Sequence, residues 1–214
     1  MSEQPGDVDA STASEGDREV ALVLVTPGSS GVDAVWRALP AALDGTGPAL
    51  AIAPAGDDEY SRRTRAAVMP WGATGDDSTV ARDLGTGTRV PSDVAVVLAT
   101  SGSTGRPRGV LLPGSSLLAS ADAAYAHLGG PGAWTLALPI TGVGGLQVLI
   151  RSFVSGVEPL VLSSVGGGGS FDPAEFADLT WRLDPDLPAY TSLVPVQVAR
   201  LLEHPDGRAA LQAY

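Results

Sequence analysis

Thr100, Ser101, Gly102, Ser103, Thr104, Gly105, Arg106, Pro107, Arg108 and Gly109 make up the stretch of this chain best equipped for chemistry. Its internal glycines, Gly102 and Gly105, let a backbone turn sharply and aim N–H groups at an anion with no Cβ in the way. Thr100, Ser101, Ser103 and Thr104 add hydroxyl donors, and Arg106 and Arg108 add positive charge. Such a set suits a polyphosphate such as the β and γ phosphates of ATP. The run is not a Walker A loop, because no Gly-Lys-Ser/Thr follows and the chain has no lysine. It also lacks the three-glycine spacing of the dinucleotide fingerprint and does not lead directly into a helix. A short Ser/Gly run is most simply a surface turn, so the choice rests on a wider match described below.

Other reactive side chains are few. There is no cysteine, which removes disulfides and thiolate metal sites, and the two histidines, His127 and His204, are too few for a zinc site. His127 near a helix end reads as a dipole partner or surface residue, and His204, just before Pro205, reads the same way. Asp57-Asp58-Glu59 and Asp76-Asp77 read as solvated loop carboxylates. No metal ligand set is therefore expected. The net charge of -11 leaves no basic face for a nucleic acid. All 13 basic residues are Arg, so a mechanism that needs a lysine cannot be completed by this chain.

The elements that must hold the loop follow from the apolar pattern. Residues 1–18 are polar and acidic and read as a disordered tail, with neither the basic start nor the apolar run of a signal peptide. No apolar stretch reaches membrane-spanning length, and a cytoplasmic protein is expected. Val20 to Val25 reads as a strand, and Val32, Val35, Trp36, Leu39 and Leu43 follow at helical spacing. Ala49 to Ala53 is a second short strand, whereas Gly56 to Pro91 gives only weak signals. Val94 to Ala99 is a continuous apolar run of strand length, and Val110 to Leu112 is another, so the loop hangs between two strands.

Ser115 or Ser116 can cap a helix to Leu128, with Leu117, Ala121, Ala124 and Leu128 on one face. Trp134 to Leu138 is a strand ending at Pro139, Val143 to Val154 a buried helix, and Pro159 to Leu162 a strand. Gly166 to Ser170 reads as a surface loop before a helix capped at Asp172-Pro173. Leu187 to Ser192 is the last strand, and Pro195 opens a helix from Val196 to Leu202. Val194 and Val196 read as packing residues, as do Trp36, Trp134 and Trp181, while Trp71 is uninformative. Alternating strands and helices make a layered α/β domain.

The wider match is to a known signature. Thr-Ser-Gly-Ser-Thr-Gly-x-Pro-Arg-Gly at 100–109 resembles the signature loop of the adenylate-forming superfamily, which comprises acyl- and aryl-CoA ligases, luciferases and peptide-synthetase adenylation domains. Gly129 to Gly132, Leu136 to Pro139, Gly144 to Ser152 and Tyr190 to Pro195 resemble the actinobacterial 2-succinylbenzoate–CoA ligases of menaquinone biosynthesis. The resemblance covers Val20 to the end of the chain. It implies an α/β N-terminal domain of the adenylate-forming type over residues 19–214, incomplete at its C-terminal end. It further implies a carboxylic acid and a nucleotide as partners, ATP, Mg2+ and coenzyme A as co-substrates, and a homodimer as the assembly to test. The phosphate-binding residues so implied are Thr100, Ser101, Gly102, Ser103, Thr104, Gly105 and Arg108. Gly142, Gly145, Thr191 and Ser192 are implied for the acyl pocket.

Three departures bear on activity. The loop's usual Lys is Arg108, a planar fork in place of a compact ammonium. Where the family places a pocket His after Leu138-Pro139, this chain has Ile140-Thr141-Gly142-Val143. The chain also ends at Tyr214, before the family's adenine and Mg-associated motifs and its small lysine-bearing domain. No catalytic residue is therefore expected within the chain, and it is expected to be inactive alone. Two alternatives remain: a non-catalytic ATP-binding remnant or interaction module, and a related aryl- or fatty-acyl-CoA ligase fragment.

Overall fold

The computed structural model describes residues 17–26, 28–69, 88–101, 107–165 and 169–214. Two sheets form among them. The first runs β3-β1-β2-β4-β5, from β1 (Asp17–Val25), β2 (Ala49–Pro54), β3 (Arg89–Pro91), β4 (Val94–Ser101) and β5 (Pro107–Pro113). The second runs β7-β6-β8, from β6 (Ala133–Leu136), β7 (Leu160–Val161) and β8 (Ala189–Thr191). The helices are α1 (Ser29–Leu43), α2 (Glu59–Val68), α3 (Gly114–Leu128), α4 (Val143–Ser155), α5 (Pro173–Thr180), α6 (Pro195–Glu203) and α7 (Pro205–Ala210). This is the layered α/β arrangement the pattern predicts.

β1 pairs parallel with β2 and β2 parallel with β4, whereas β3 and β5 pair antiparallel at the two edges. Both faces of the central strands are covered, which is why they read as unbroken apolar runs. In β2, Leu50 and Ile52 enter a core shared with α1 and α3, while Ala49, Ala51 and Ala53 enter a second core with Val68 and Met69 from the α2 side. Ala95 and Val96 are neighbours yet both join the first core, because the β4–β5 register shifts between Val94 and Val96. A bulge of this kind turns two successive side chains to one face.

The second sheet continues the first core. Trp134 on β6 faces α3, donating through Nε1 to the Tyr125 hydroxyl at 2.9 Å. Thr135, on the opposite face, meets the Tyr214 hydroxyl at 2.7 Å, and Tyr214 packs on Phe176 of α5. Parallel pairing of β6 with both neighbours places the loops after these strands on a common side.

Several expectations are corrected. The strand starts at Asp17, so Asp17 and Arg18 leave the predicted tail. Arg18 is buried because its guanidinium donates to the carbonyls of Ala41, Ala42, Gly47 and Val94, closing the C-terminal end of α1. The α3 helix begins at Gly114 without a serine cap, and Tyr125 replaces Ala124 and Leu128 on its buried face. Trp181, at the C-cap of α5, is 61% exposed rather than core. His204 is the junction of α6 and α7, its Nδ1 accepting from Gly207 N–H, which α7, absent from the sequence reading, makes necessary. Trp71, Asp76, Asp77 and residues 166–168 lie outside the described residues.

Candidate functional site

The Ser/Thr/Gly run is entered and left through a hairpin. Thr100 pairs with Arg108 and Ser101 with Pro107 across the antiparallel β4–β5 ladder. Thr100 Oγ1 donates to the Arg108 carbonyl at 3.4 Å, a long bond that leaves the hydroxyl easily redirected. Both Thr100 and Arg108 are exposed. Gly102, Ser103, Thr104, Gly105 and Arg106 lie outside the described residues.

One side of this hairpin is closed by α2. A Cβ on Gly109 would collide with the Ala67 carbonyl oxygen, so glycine there lets the helix lie directly on β5. Asp58 caps the helix, accepting from Ser61 N–H at 3.0 Å and from Ser61 Oγ at 2.6 Å. These bonds, the side-chain one foremost, hold the Asp58 carboxyl below its ordinary pKa. Arg62 and Arg65 donate to backbone carbonyls, of Asp57 and of Pro54 and Gly56 respectively. Arg63 instead meets Glu59 at 2.5 Å in an exposed pair one helical turn apart.

The other side is the loop from β6 to α4. Gly142 is the N-cap of α4, at φ -116° and ψ 154°, and its N–H donates to the Pro139 carbonyl at 3.2 Å. A Cβ on Gly142 would meet nothing nearer than the Pro139 oxygen at 3.6 Å, so a side chain fits there. Gly145 differs: a Cβ would lie 2.6 Å from the Leu138 carbonyl oxygen. Gln197 on α6 ties a third segment to this loop, donating to the Ala137 carbonyl at 2.9 Å and accepting from Val194 N–H at 3.0 Å.

These parts enclose a cavity of about 720 Å³, a size common for small-molecule sites. Thr100 and Pro107 bring the ends of the run to it, and Glu59, Tyr60, Arg63 and Thr64 form the α2 wall. Leu138, Pro139, Thr141, Gly142, Gly144 and Gly145 form the opposite wall, with Val194 beside them. Among the described residues the site thus joins hydroxyls, one carboxylate and one guanidinium to a largely apolar wall. Among the described residues no group of three or more His, Cys, Asp or Glu side chains could hold a metal ion.

Of the acyl-pocket expectations, Gly142 and Gly145 line the cavity. Thr191 and Ser192 are not part of its walls; Thr191 Oγ1 donates to the Thr135 carbonyl at 3.0 Å and is used to pair β8 with β6. Val194 takes their place in the wall, and both Val194 and Val196 are exposed rather than packed. The sequence gives little sign of the α2 wall because Gly56 to Pro91 carries little apolar periodicity. The local signal was there in Asp58-x-x-Ser61, a cap spacing followed by three arginines, Arg62, Arg63 and Arg65.

No family model matches the chain. It is 44% identical over 128 residues to the probable 2-succinylbenzoate–CoA ligase of Mycobacterium tuberculosis, an alignment covering 60% of this chain and 32% of that protein. It is 38% identical over 71 residues to the 2-succinylbenzoate–CoA ligase of Enterococcus faecalis, covering 31% of this chain and 15% of that protein. Among solved structures, the o-succinylbenzoate coenzyme A synthetase (MenE) of Bacillus subtilis in complex with AMP superposes with a TM-score of 0.52 at 19% identity, covering 88% of this chain and 53% of that one. The amide bond synthetase McbA of Marinactinospora thermotolerans gives 0.51 at 22% identity, covering 88% and 42%. The chain thus resembles 2-succinylbenzoate–CoA ligases and shares the fold of adenylate-forming enzymes. It spans about a third of the length of the M. tuberculosis relative. No helix among the described residues is long and apolar enough to cross a membrane.

Proposed function

We propose that this chain is the N-terminal part of an adenylate-forming acid–CoA ligase whose acid is 2-succinylbenzoate. The observation that carries this reading is the shared cavity: Thr100 and Pro107, at the two ends of the Ser/Thr/Gly run, face the same space as Gly142 and Gly145. A triphosphate held by the run and a carboxylate held against the glycine wall would then be neighbours. In the reaction a carboxylate oxygen attacks the α-phosphorus of ATP, forming acyl-AMP and expelling pyrophosphate, and the thiol of coenzyme A then attacks the acyl carbon, forming the thioester and releasing AMP and the thiol proton. The identity to 2-succinylbenzoate–CoA ligases supports the choice of acid, and the Bacillus subtilis synthetase has been solved in complex with ATP and a magnesium ion.

The chain's own residues supply binding rather than the full chemistry. Hydroxyl and backbone donors near Thr100 orient the phosphates, and the apolar wall from Leu138 to Gly145 excludes water from the acid. Mg2+ would offset phosphate charge when bound with the nucleotide. With no lysine present, any lysine that stabilises the forming acyl-adenylate must come from outside these 214 residues.

The test is titration of the chain with ATP and Mg2+, paired with acid-dependent ATP–pyrophosphate exchange. ATP binding without exchange is expected for the chain alone, and exchange on adding the missing lysine-bearing part in trans with 2-succinylbenzoate. Absence of ATP binding would overturn the reading. Exchange stimulated by aryl or fatty acids but not by 2-succinylbenzoate would overturn the choice of acid.

A further inference from the structure

The cavity wall contributed by α2 lies outside the Ser/Thr/Gly run, and its charges are unevenly committed. Arg62 and Arg65 are occupied by backbone carbonyls at the start of the helix. Arg63 is the only cation among the described residues lining the cavity, and its partner is the Glu59 carboxylate on the same wall. The two side chains remain 59% and 69% exposed. An exposed pair of this kind gains little from its own attraction, so a stronger anion can take the guanidinium at small cost. A guanidinium fork matches two phosphate oxygens at once.

Glu59 and Arg63 cancel, leaving the described lining with no net charge to offer a polyanion while they stay paired. Separating them changes this. Arg63 and Thr100 line one space from different elements, so a phosphate at the mouth of the run can be approached from both sides.

Resting on the nucleotide reading above, we infer that Arg63 is a phosphate-contacting residue for the terminal phosphates of ATP, held by Glu59 until the anion enters and then surrendered to it. The alternative is a surface pair that merely supports α2. Arg63→Gln and Glu59→Gln both break the pair, so a supporting role predicts the same effect from each. A phosphate contact predicts opposite effects: removing Arg63 removes a ligand, whereas removing Glu59 frees it and takes away a repelling charge.

The experiment is calorimetric titration of the 214-residue chain and the two variants with ATP plus Mg2+ and, separately, with AMP. Arg63→Gln should bind ATP about tenfold more weakly, the size of one charge-assisted contact, with AMP affinity unchanged. Glu59→Gln should bind ATP about two- to threefold more tightly, as expected for loss of one exposed carboxylate. Thermal melts of both variants check that α2 stays folded. ATP affinity unchanged in Arg63→Gln overturns the inference and leaves the nucleotide reading standing. Equal weakening by both variants, or equal loss of ATP and AMP, also overturns it. If the unaltered chain binds neither nucleotide, both readings fall.

Discussion

Gly145 lies so close to Pro139 that a Cβ on Gly145 would sit 2.5 Å from the Pro139 carbonyl carbon. That approach lets α4 begin immediately under the loop that lines the cavity. Gly145→Ala must displace the loop or the helix and should cost about 1–3 kcal/mol, the usual range for overpacking. Gly142, three residues earlier, should behave in the opposite way. Its backbone is extended and its helix has no side-chain cap, so Gly142→Ser should gain a few tenths of a kcal/mol. Urea denaturation of the two variants checks the contrast.

Arg18 predicts a second effect. Its guanidinium reaches the Ala42 carbonyl at 2.9 Å and the Val94 carbonyl at 3.1 Å, joining the end of α1 to β4. Burial pushes its pKa down, with nearby Asp44 opposing the shift. Arg18→Met should lose about 2–4 kcal/mol, because buried carbonyls are left without donors. Arg37→Met, at an exposed position on α1, should stay within about 0.5 kcal/mol. Equal shifts of the two denaturation midpoints would contradict this.

Tyr214 offers a pH-dependent test. Its hydroxyl lies 2.7 Å from Thr135 Oγ1 and 3.0 Å from Thr180 Oγ1. Burial raises its pKa above 10.0 against the opposing pull of these bonds. A pKa raised by folding stabilises the protein below the unfolded value and loses that contribution as pH climbs through the folded one. The native chain should therefore weaken above about pH 10, and Tyr214→Phe should weaken less there. At neutral pH the variant should be about 1–2 kcal/mol less stable through lost hydrogen bonds.

The aromatic group under the cavity loop gives a fourth. Trp134 donates to Tyr125, packs at a tilt against Tyr190 with ring centroids 5.1 Å apart and carries the Arg151 guanidinium over its ring at 5.1 Å. Trp134→Phe should cost about 1–3 kcal/mol, combining a lost buried hydrogen bond and a weaker cation–π contact. It should also reduce the near-UV dichroism more than Trp181→Phe, because Trp181 is exposed.

Much of this protein was legible in its residues alone. The apolar run at Val94–Ala99 identifies a buried central strand and that at Val20–Val25 a half-buried one, because a strand packed on both faces has no polar side to display. Asp172-Pro173 marks a helix start, and the structure places Asp172 Oδ1 2.9 Å from Ala174 N–H. The run at Thr100–Gly109 gathers donors, glycines and arginines in one stretch, so its composition suits a polyphosphate, while the choice over a surface turn rests on its resemblance to a known signature. Such features are local, and local sequence encodes them.

The rest depends on distance through space. Arg18 reads as tail because its acceptors lie 23 to 76 residues away. Thr191 reads as pocket, yet its hydroxyl is taken by the Thr135 carbonyl of a neighbouring strand, 56 residues back. Arg63 gives no sign of a ligand role until α2 is laid on β5 through the gap at Gly109. Residue types declare which groups can bind phosphate. Only the packing of α2, the β4–β5 hairpin and the β6–α4 loop decides which of them share one cavity, because those contacts are made by segments with no common local pattern.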